Sequence, residues 1–381
     1  MNLSQTDRVV LILDIQSRAI HGALTIFSQT APPHLIWTQI LEISHNPHAG
    51  NTRLIKEILS AVQDITEASL RYIHINLEQN HKKRPINTIH CVLSSPWIVS
   101  QAKSISLAFK DNTKITPKTV LDLLKNERSS LLAGGKGQWS VIEEKIYDVR
   151  LNGYAVKDWQ GKMARTLETA CVVSVAGTVM INRFRQACSM ATENHNIFFH
   201  SSLVLQGIGL HTASPHLPVY ALIHVHGELT DVAIMNTMAC LFLGSYPIGI
   251  QTIIRRIAHG LNVNQKTAES ALNIHNRNHI DPSHGDHIAT VVKRVSQSWL
   301  GGFRTLLISG GVENILPKEI FVSAVNQEDF LLEIYKKEYS DIKVEHFPSQ
   351  CFAERVTLES YLGHIPILEC YAIALQDLDQ K

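Results

Sequence analysis

The sequence has 381 residues, which is enough chain for two or more hydrophobic cores. Hydrophobic residues make up 45% of it and charged residues 18%, a globular composition that excludes an intrinsically disordered chain. The formal net charge is +1, so the charge balance gives no reason to expect nucleic acid or an acidic membrane surface as a partner.

The sequence shows neither the apolar run of a membrane helix nor the pattern of an export signal. No segment approaches the roughly 20 apolar residues of a membrane helix, and the apolar run near the N-terminus stops at Asp14 without a secretory pattern. The six cysteines contain no CxxC pair and mostly lie in apolar runs, which favours buried reduced thiols over disulfides or zinc. We therefore expect a cytoplasmic protein without direct membrane insertion.

The first 93 residues predict a sheet with one long helix. β-rich or alternating segments indicate strands, and apolar residues at helical spacing between Thr52 and Ile73 indicate the helix. The predicted strands are Val9–Leu13, Ala19–Ile26, Leu35–Ile43 and Thr88–Leu93. The polar break after the first strand holds Asp14, Gln16 and Ser17.

The pattern changes between residues 94 and 174. Strands are predicted at Ser104–Phe109, Val141–Leu151 and Leu167–Val175, and Thr116-Pro117 predicts a helix start with an N1 proline. Asn152-Gly153 is a strong hairpin signal.

Helices are predicted near residues 177–190 and 202–211. The segment Val219–Met235 then indicates a second hairpin. Two apolar runs flank Gly227-Glu228, and glycine at the first turn position allows the positive φ of a two-residue turn. Helices are then expected at about 251–259, 266–274 and 288–299. The last predicted strands are Thr305–Ile308, Lys343–His346 and Tyr371–Leu375.

Three loops resemble the nucleotide loops of the actin-like ATPase superfamily. The second phosphate loop of that superfamily has an Asp, then glycines, then Thr-Asp, and the matching positions here are His224, His226, Gly227, Thr230 and Asp231. Asp14, Gln16 and Ser17 match the first phosphate loop, usually Asp-x-Gly followed by Ser or Thr. Gly310-Gly311, after the predicted strand Thr305–Ile308, match the loop that cradles adenosine.

The segment Leu151–Glu168 resembles the small inserted subdomain of the cell-division actin homologue FtsA and its pilus-assembly relative PilM. Its place between two parts of the first domain also matches. FtsA carries a terminal amphipathic helix that inserts into the membrane, whereas Gln376–Lys381 is short and polar, so the resemblance is closer to PilM.

The resemblance implies an α/β, actin-like (ribonuclease H-like) two-domain ATPase fold with a small inserted α+β subdomain. The first domain would comprise residues 1–93 and 175–213, interrupted by the inserted subdomain at 94–174. The second domain would comprise residues 214–381, with 246–302 as its helical subdomain.

The resemblance also implies ATP or ADP with magnesium as cofactor, but several loop residues argue for a degenerate site. Gln16, His226 and Glu228 stand where backbone amides need glycine to approach a phosphate. His224 replaces a carboxylate, although Mg²⁺ prefers oxygen ligands. Glu228 would also bring a negative charge toward the polyphosphate. No catalytic residue is assigned, and hydrolysis is not expected.

His224 and His226 with Asp14 would suit zinc if they met across a cleft. With 20 histidines in the chain, core histidines are the simpler interpretation, and no metal site is predicted.

Three functions stay open on the sequence alone. The leading hypothesis is a scaffold of a cell-division or pilus/secretion assembly complex, held at the inner face of the membrane by a membrane-anchored protein partner and capable of self-association. The alternatives are an active, filament-forming ATPase and a sugar-kinase-like enzyme. The relatives bind partner peptides on the inserted subdomain, and Val141–Tyr154 could offer a strand edge for one. Its residues Ile142, Ile146 and Val149 could equally pack the subdomain's own helix.

Overall fold

The computed structural model describes residues 7–43, 50–77, 86–132, 137–189, 196–236, 239–276, 282–315, 317–324 and 327–379. The described strands form three sheets, of six, five and four strands.

The first sheet has the strand order β15-β3-β2-β1-β4-β9. Its strands are β1 (Arg8–Ile15), β2 (Ala19–Phe27), β3 (His34–Glu42), β4 (Thr88–Leu93), β9 (Ile197–Ser201) and β15 (Thr357–Leu358). β1, β2 and β3 form an antiparallel meander, and β4 runs parallel to β1. Every residue of β2, and of β1 from Val9 onward, is buried, because helices cover both faces of the sheet. The outer face carries α1 (Gly50–Asn76) and α3 (Thr178–Ser189).

The second sheet repeats this local topology in the order β12-β11-β10-β13-β14. Its strands are β10 (Tyr220–Val225), β11 (Thr230–Met235), β12 (Cys240–Tyr246), β13 (Glu319–Ala324) and β14 (Lys343–His346). The first three form an antiparallel meander, and β13 runs parallel to β10. Its outer face packs against α5 (Ile250–Leu261), α6 (Gln265–Asn276), α7 (Pro282–Ser309) and α8 (Glu328–Glu338).

The third sheet, in the order β5-β8-β6-β7, is antiparallel throughout. It consists of β5 (Ile98–Lys114), β6 (Trp139–Leu151), β7 (Tyr154–Ala155) and β8 (Met163–Gly177), with α2 (Pro117–Leu132) packed on one face. α2 begins at Pro117 as predicted. Asn152 and Gly153 both take the left-handed conformation, with φ values of 52° and 83°, so the predicted hairpin turn is confirmed.

Two helices lie between the first and second sheets. α4 (Ser202–Ala213) and α10 (Pro366–Asp379) share one apolar cluster with the inner faces of both sheets, and the short α9 (Gln350–Ala353) packs at its border. A Cβ on Gly209 of α4 would lie 2.5 Å from the carbonyl oxygen of Cys370 in α10, so the two helices cross at close range. These helices set the spacing between the sheets.

Two predicted strands are wrong. Thr305–Ile308 lies in the last turns of α7, whose apolar positions Trp299, Phe303 and Leu306 continue the helical spacing. Tyr371–Leu375 lies in α10, where burial between two sheets makes the run apolar on all sides, so its periodicity does not separate helix from strand. β12 and β13 were not predicted as strands of their own.

Five of the six cysteines are buried, as their apolar context predicts. Among the described helices, none is both long enough and apolar enough to cross a membrane.

Candidate functional site

The tips of the two equivalent hairpins meet between the first and second sheets. One tip follows β1 and the other follows β10, and we refer to residues 14–18 and 226–231 together as the loop junction. A Cβ on Gly227 would lie 3.2 Å from both Ser17 Oγ and Arg18 Cβ, so the loops are in van der Waals contact. The structure therefore brings the two predicted phosphate loops together.

The hairpin at Gly227 has the predicted two turn residues but not the predicted backbone. The His226 N–H donates to the Leu229 carbonyl over 2.9 Å, which closes the turn. The φ of Gly227 lies outside the left-handed region, so the expected positive φ is wrong. Glycine fits here because a side chain at residue 227 would crowd Ser17 and Arg18.

The N-terminus of α5 holds the same turn from its other side. The N–H groups of Ile250 and Gln251 donate to the carbonyls of His226 and Gly227, over 2.9 and 2.8 Å. A Cβ on Gly249 would lie 2.6 Å from the Gly227 carbonyl oxygen and 2.6 Å from the Leu229 nitrogen. Residue 249 must therefore be glycine for this turn and helix to pack as they do.

Asp14 lies at the end of β1 with no exposed surface. Its Oδ2 accepts a hydrogen bond from Gln16 Nε2 at 2.6 Å, and His21 Nδ1 lies 3.2 Å from the same oxygen, at ion-pair distance but poorly aligned for a hydrogen bond. Burial alone would raise the pKa of Asp14, but His21, His224 and Gln16 together bring that pKa below its ordinary value. Asp14 is therefore a carboxylate held by its own hairpin.

His224 and His226 lie side by side, with ring centroids 4.1 Å apart. Gln206 Nε2 of α4 donates to His224 Nδ1 over 3.0 Å. Burial, together with the neighbouring His226, lowers the pKa of His224 to about 3, so this ring is neutral at physiological pH. His226 Nε2 donates to Asp231 Oδ2 over 2.9 Å, while His226 Nδ1 lies 3.4 Å from Gln16 Oε1.

Asp231 connects the second sheet to the first. Its Oδ2 also accepts the N–H of Ser95, which follows β4, at 3.1 Å. Burial would raise the pKa of Asp231, but His226 and Ser95 lower it below the ordinary value. Its Oδ1 has no hydrogen-bond partner in the protein.

Glu228 does not point a free charge at the junction, which corrects the expectation from the sequence. Both its carboxylate oxygens accept hydrogen bonds from the Arg255 guanidinium, at 2.7 and 2.6 Å, and Thr252 Oγ1 donates to one of them at 3.1 Å. The negative charge is paired with α5 rather than directed toward a ligand.

The remaining candidate residues serve other contacts. Thr230 Oγ1 donates to the Ile248 carbonyl at 2.7 Å and accepts from Trp299 Nε1 at 3.0 Å, which anchors α7 to the second sheet. Gly310 and Gly311 terminate α7 instead of following a strand. Gly311 has a φ of 65°, and the Val312 N–H returns to the Leu307 carbonyl at 3.0 Å, as at a glycine-terminated helix end.

Sequence reasoning missed three members of this polar network: His21, Ser95 and Gln206. His21 could have been found, because a hairpin with Ser17 and Arg18 as its two turn residues places residue 21 opposite Asp14, and the observed register pairs them. Ser95 and Gln206 come from other elements, and no local pattern signals them.

The cluster does not have the arrangement of a metal centre. Within the described ranges, no group of three or more His, Cys, Asp or Glu side chains is placed to hold a metal ion. In the first loop, Ser17 Oγ and Arg18 Nη1 are buried without a hydrogen-bond partner.

No family model and no curated protein matches the chain by sequence. Solved structures do match it by fold. The chain is similar to a structure described as the PilM–PilN type IV pilus biogenesis complex, with a TM-score of 0.62 and 12% identity over 96% of each chain. It is also similar to diol dehydratase-reactivating factor in its nucleotide-free form, with a TM-score of 0.52 and 7% identity over 98% of this chain and 100% of that one. At these identities the likeness establishes the fold alone.

Proposed function

We propose that this chain, which has the actin-like ATPase fold, is a cytoplasmic scaffold of a pilus- or secretion-type or cell-division assembly complex. A membrane-anchored protein partner would hold it at the inner face of the membrane, and its nucleotide site would be degenerate. The structure with PilM is a PilM–PilN complex of type IV pilus biogenesis, which supports a docking role for a chain of the same fold.

The observation that carries the proposal is the contact between the two hairpin tips. A phosphate bound between them would need the space that Gly227, Ser17 and Arg18 share at van der Waals distance. Entry of a polyphosphate would require the loops to separate, which would break the contact between His226 Nδ1 and Gln16 Oε1 and the hydrogen bond from the Ser95 N–H to Asp231. The hydrogen bond to the Asp231 carboxylate, as a bond to a charged group, contributes about 1.5–3 kcal/mol, so opening the junction is costly.

Magnesium would meet a related obstacle. Asp14 is the carboxylate that the resemblance assigns to the metal, and one of its oxygens already accepts a hydrogen bond from Gln16 and lies beside His21. Its other neighbour across the junction is the imidazole of His224, a poorer ligand for Mg²⁺ than oxygen. The side-chain atoms that this site could offer as metal ligands therefore do not favour magnesium.

The partner surface proposed here is the outer edge of β6, on the four-stranded sheet that we propose as an inserted unit. β6 pairs with β8 along its length, but its pairing with β7 covers only Arg150 and Leu151. Val149 packs in the core of this sheet and Ile142 against the first domain, whereas Ile146 is 36% exposed. An extended peptide could add to this edge through backbone hydrogen bonds, with Ile146 providing apolar contact.

A thermal-shift experiment tests the nucleotide part. Because binding adds RT ln(1 + [L]/Kd), millimolar ATP at a micromolar site would stabilise the protein by about 4 kcal/mol. We expect no change in Tm with ATP and Mg²⁺. A magnesium-dependent rise in Tm together with phosphate release would overturn the degenerate-site proposal and favour an active ATPase.

Membrane recruitment tests the partner part. We expect the purified protein to sediment with native membrane vesicles, but not with protease-treated vesicles or protein-free liposomes. Ile146→Glu should weaken recruitment at least tenfold, because the charge would enter an apolar contact. Leu121→Glu, a change at a 59% exposed position on α2 of the same unit, is the matched control. Equal recruitment of Ile146→Glu and wild type would exclude this edge as the docking surface.

A further inference from the structure

A groove of about 430 Å³ runs between α5 and α7, the two helices that pack on the outer face of the second sheet. We call it the α5–α7 groove. Its α5 side is formed by residues at the spacing of one helical face, namely Thr252, Arg255, Arg256 and His259. Its α7 side is formed by Arg294, Val295 and Ser298.

The lining of this groove is basic. It contains three arginines and a histidine, and no aspartate or glutamate is among the described lining residues. The whole chain has 35 Lys and Arg residues against 34 Asp and Glu residues, so this is a local excess of cations. Val295 is the single apolar side chain of that described lining, and it is buried. The groove therefore favours an anionic ligand over an apolar one.

Two of the three arginines have no carboxylate partner in the described part of the chain. The Arg255 guanidinium is neutralised by Glu228, as described above. Arg256 and Arg294 form no salt bridge with any described residue, and both side chains are exposed. Their donors can therefore be reached from solvent without any change in the fold.

These two guanidinium groups lie across the groove, each against the opposite helix. Arg256 Nη1 of α5 donates to Ser298 Oγ of α7 over 2.6 Å. Arg294 of α7 reaches back to α5, where a Cβ on Gly260 would lie 3.2 Å from its Nη2. Since Gly260 follows Arg256 by four residues, the two contacts are about 6 Å apart along the helices. Two like charges at this distance repel each other, and an anion between them would remove that repulsion.

We infer that the α5–α7 groove binds a small, soluble anion with more than one phosphate group, whose oxygens accept hydrogen bonds from Arg256 and Arg294. A guanidinium group donates through two parallel N–H groups, which match phosphate oxygens. Each phosphate presents its oxygens in several directions, so it can accept from both helices at once. A planar carboxylate on a hydrocarbon skeleton would fit less well, because the described lining has little apolar surface to receive the carbon atoms. The inference does not depend on the proposed scaffold role.

Isothermal titration calorimetry with two soluble anions tests the phosphate preference. Pyrophosphate and citrate carry similar negative charge near neutral pH, but only pyrophosphate presents tetrahedral phosphate groups. In buffer without Mg²⁺, we expect pyrophosphate to bind at least tenfold more tightly than citrate. Its affinity should fall as the salt concentration rises, because the groove is open to solvent. Equal affinity for the two anions, or no binding of either, would overturn the inference.

Substitutions of the two arginines locate the binding. The double variant Arg256→Ala/Arg294→Ala should weaken pyrophosphate at least tenfold, and it should fold because both side chains are exposed. Arg256→Lys keeps the charge but loses the paired N–H groups, so it should weaken binding by a smaller factor. Lys293→Ala is the matched control, because it removes a positive charge from an exposed neighbouring position of α7 outside the lining. An equal loss of affinity in Lys293→Ala and the double variant would show general charge attraction and contradict a site between the helices.

Magnesium separates this groove from the loop junction. Mg²⁺ coordinates phosphate oxygens and should weaken pyrophosphate binding at the groove. A magnesium-dependent rise in Tm with ATP would therefore report on the loop junction and leave the groove untested by that signal alone, whereas the titration without Mg²⁺ decides on the groove.

A phosphate group can also come from a lipid head group, and vesicle sedimentation distinguishes the two sources. We expect vesicles that contain phosphatidic acid not to sediment the protein, because a groove between two helices admits a free anion more readily than a head group held in a bilayer. Sedimentation with these vesicles that the double variant abolishes would contradict a soluble ligand and assign the groove to a membrane surface.

Discussion

The loop junction lies beside a cavity of about 290 Å³ between the first and second sheets. The two share Asp231, yet the junction is filled by side chains and the cavity is open. At the junction, groups of the two halves contact each other, as the Ser95 N–H does with Asp231 and Gln16 with His226. The cavity is lined by serines and by apolar side chains, among them Leu93 and Leu203. The difference teaches that the polar side chains at the two hairpin tips hold the loops in contact, while the neighbouring space stays open.

The largest effect is expected from Gly249→Ala, which breaks the junction. The added methyl would lie 2.6 Å from the backbone at both Gly227 and Leu229, atoms that cannot rotate away. We expect a loss of about 3 kcal/mol in the free energy of unfolding, measured by urea denaturation.

Gly301→Ala is the control for that substitution, because nothing lies within 4 Å of a Cβ there. In the interior of α7 it should stabilise the protein by about 0.5–1 kcal/mol. A Gly249→Ala variant as stable as wild type would show that the turn and α5 are loosely packed.

The next largest effect is a pH dependence of the free energy of unfolding, caused by His224 at the junction. With a folded-state pKa of about 3 against an ordinary 6.5, His224 stays neutral while the unfolded chain takes up a proton. Stability should therefore fall as the pH drops from 6.5 toward 4.5, by at most about 1.4 kcal/mol per unit from this ring. The lowered pKa values of Asp14 and Asp231 matter only at lower pH, near and below their ordinary 3.8.

His224→Asn retains an acceptor for Gln206 and should flatten this slope between pH 4.5 and 6.5. His90→Asn should flatten it in part, because burial lowers the pKa of His90 to about 4. The exposed His211→Asn is the matched control. An unchanged slope in His224→Asn would mean that the buried ring takes up a proton in the folded state.

The smallest effect on stability is expected from the ion pair between Glu228 in the Gly227 turn and Arg255 in α5. Both side chains are about 30% exposed, at 28% and 31%, so solvent screens the pair. A double-mutant cycle with Glu228→Ala and Arg255→Ala should give a coupling of about 0.5–1 kcal/mol. Glu228→Ala should not create ATP-dependent stabilisation, because the loops beneath stay in contact. A clear shift with ATP and Mg²⁺ would show that Glu228 alone had closed the site.

Much of the fold follows from local periodicity. The meander at the N-terminus, α1, the Asn152-Gly153 hairpin and the hairpin around Gly227 all lie where alternation, helical spacing and turn residues predict them. The two wrong strands share one cause. α7 near Thr305 and α10 near Tyr371 are apolar beyond a single face, and an apolar run does not by itself distinguish a buried helix from a buried strand.

The candidate site was only half predictable. Asp14, His224 and Asp231 could be chosen from the sequence because each ends or begins a predicted strand of a recognisable hairpin. Their mutual contact could not be predicted, since it depends on how closely α4 and α10 hold the two sheets. The Gly-Gly pair at residue 310 misled for a different reason: a glycine that ends a helix and a glycine that admits a ligand look alike in sequence.

The return of the chain from the second sheet to the first has a consequence for protein synthesis. β15 pairs with β3, α10 packs against β1 and β2, and Gln376 donates to the Ser28 carbonyl 348 residues earlier. The first sheet therefore cannot bury its inner face while the ribosome is still adding the second. Contacts of such sequence separation slow folding and leave apolar surface exposed in the nascent chain. A molecule built this way would fold largely after its translation, at a stage when chaperones can bind it.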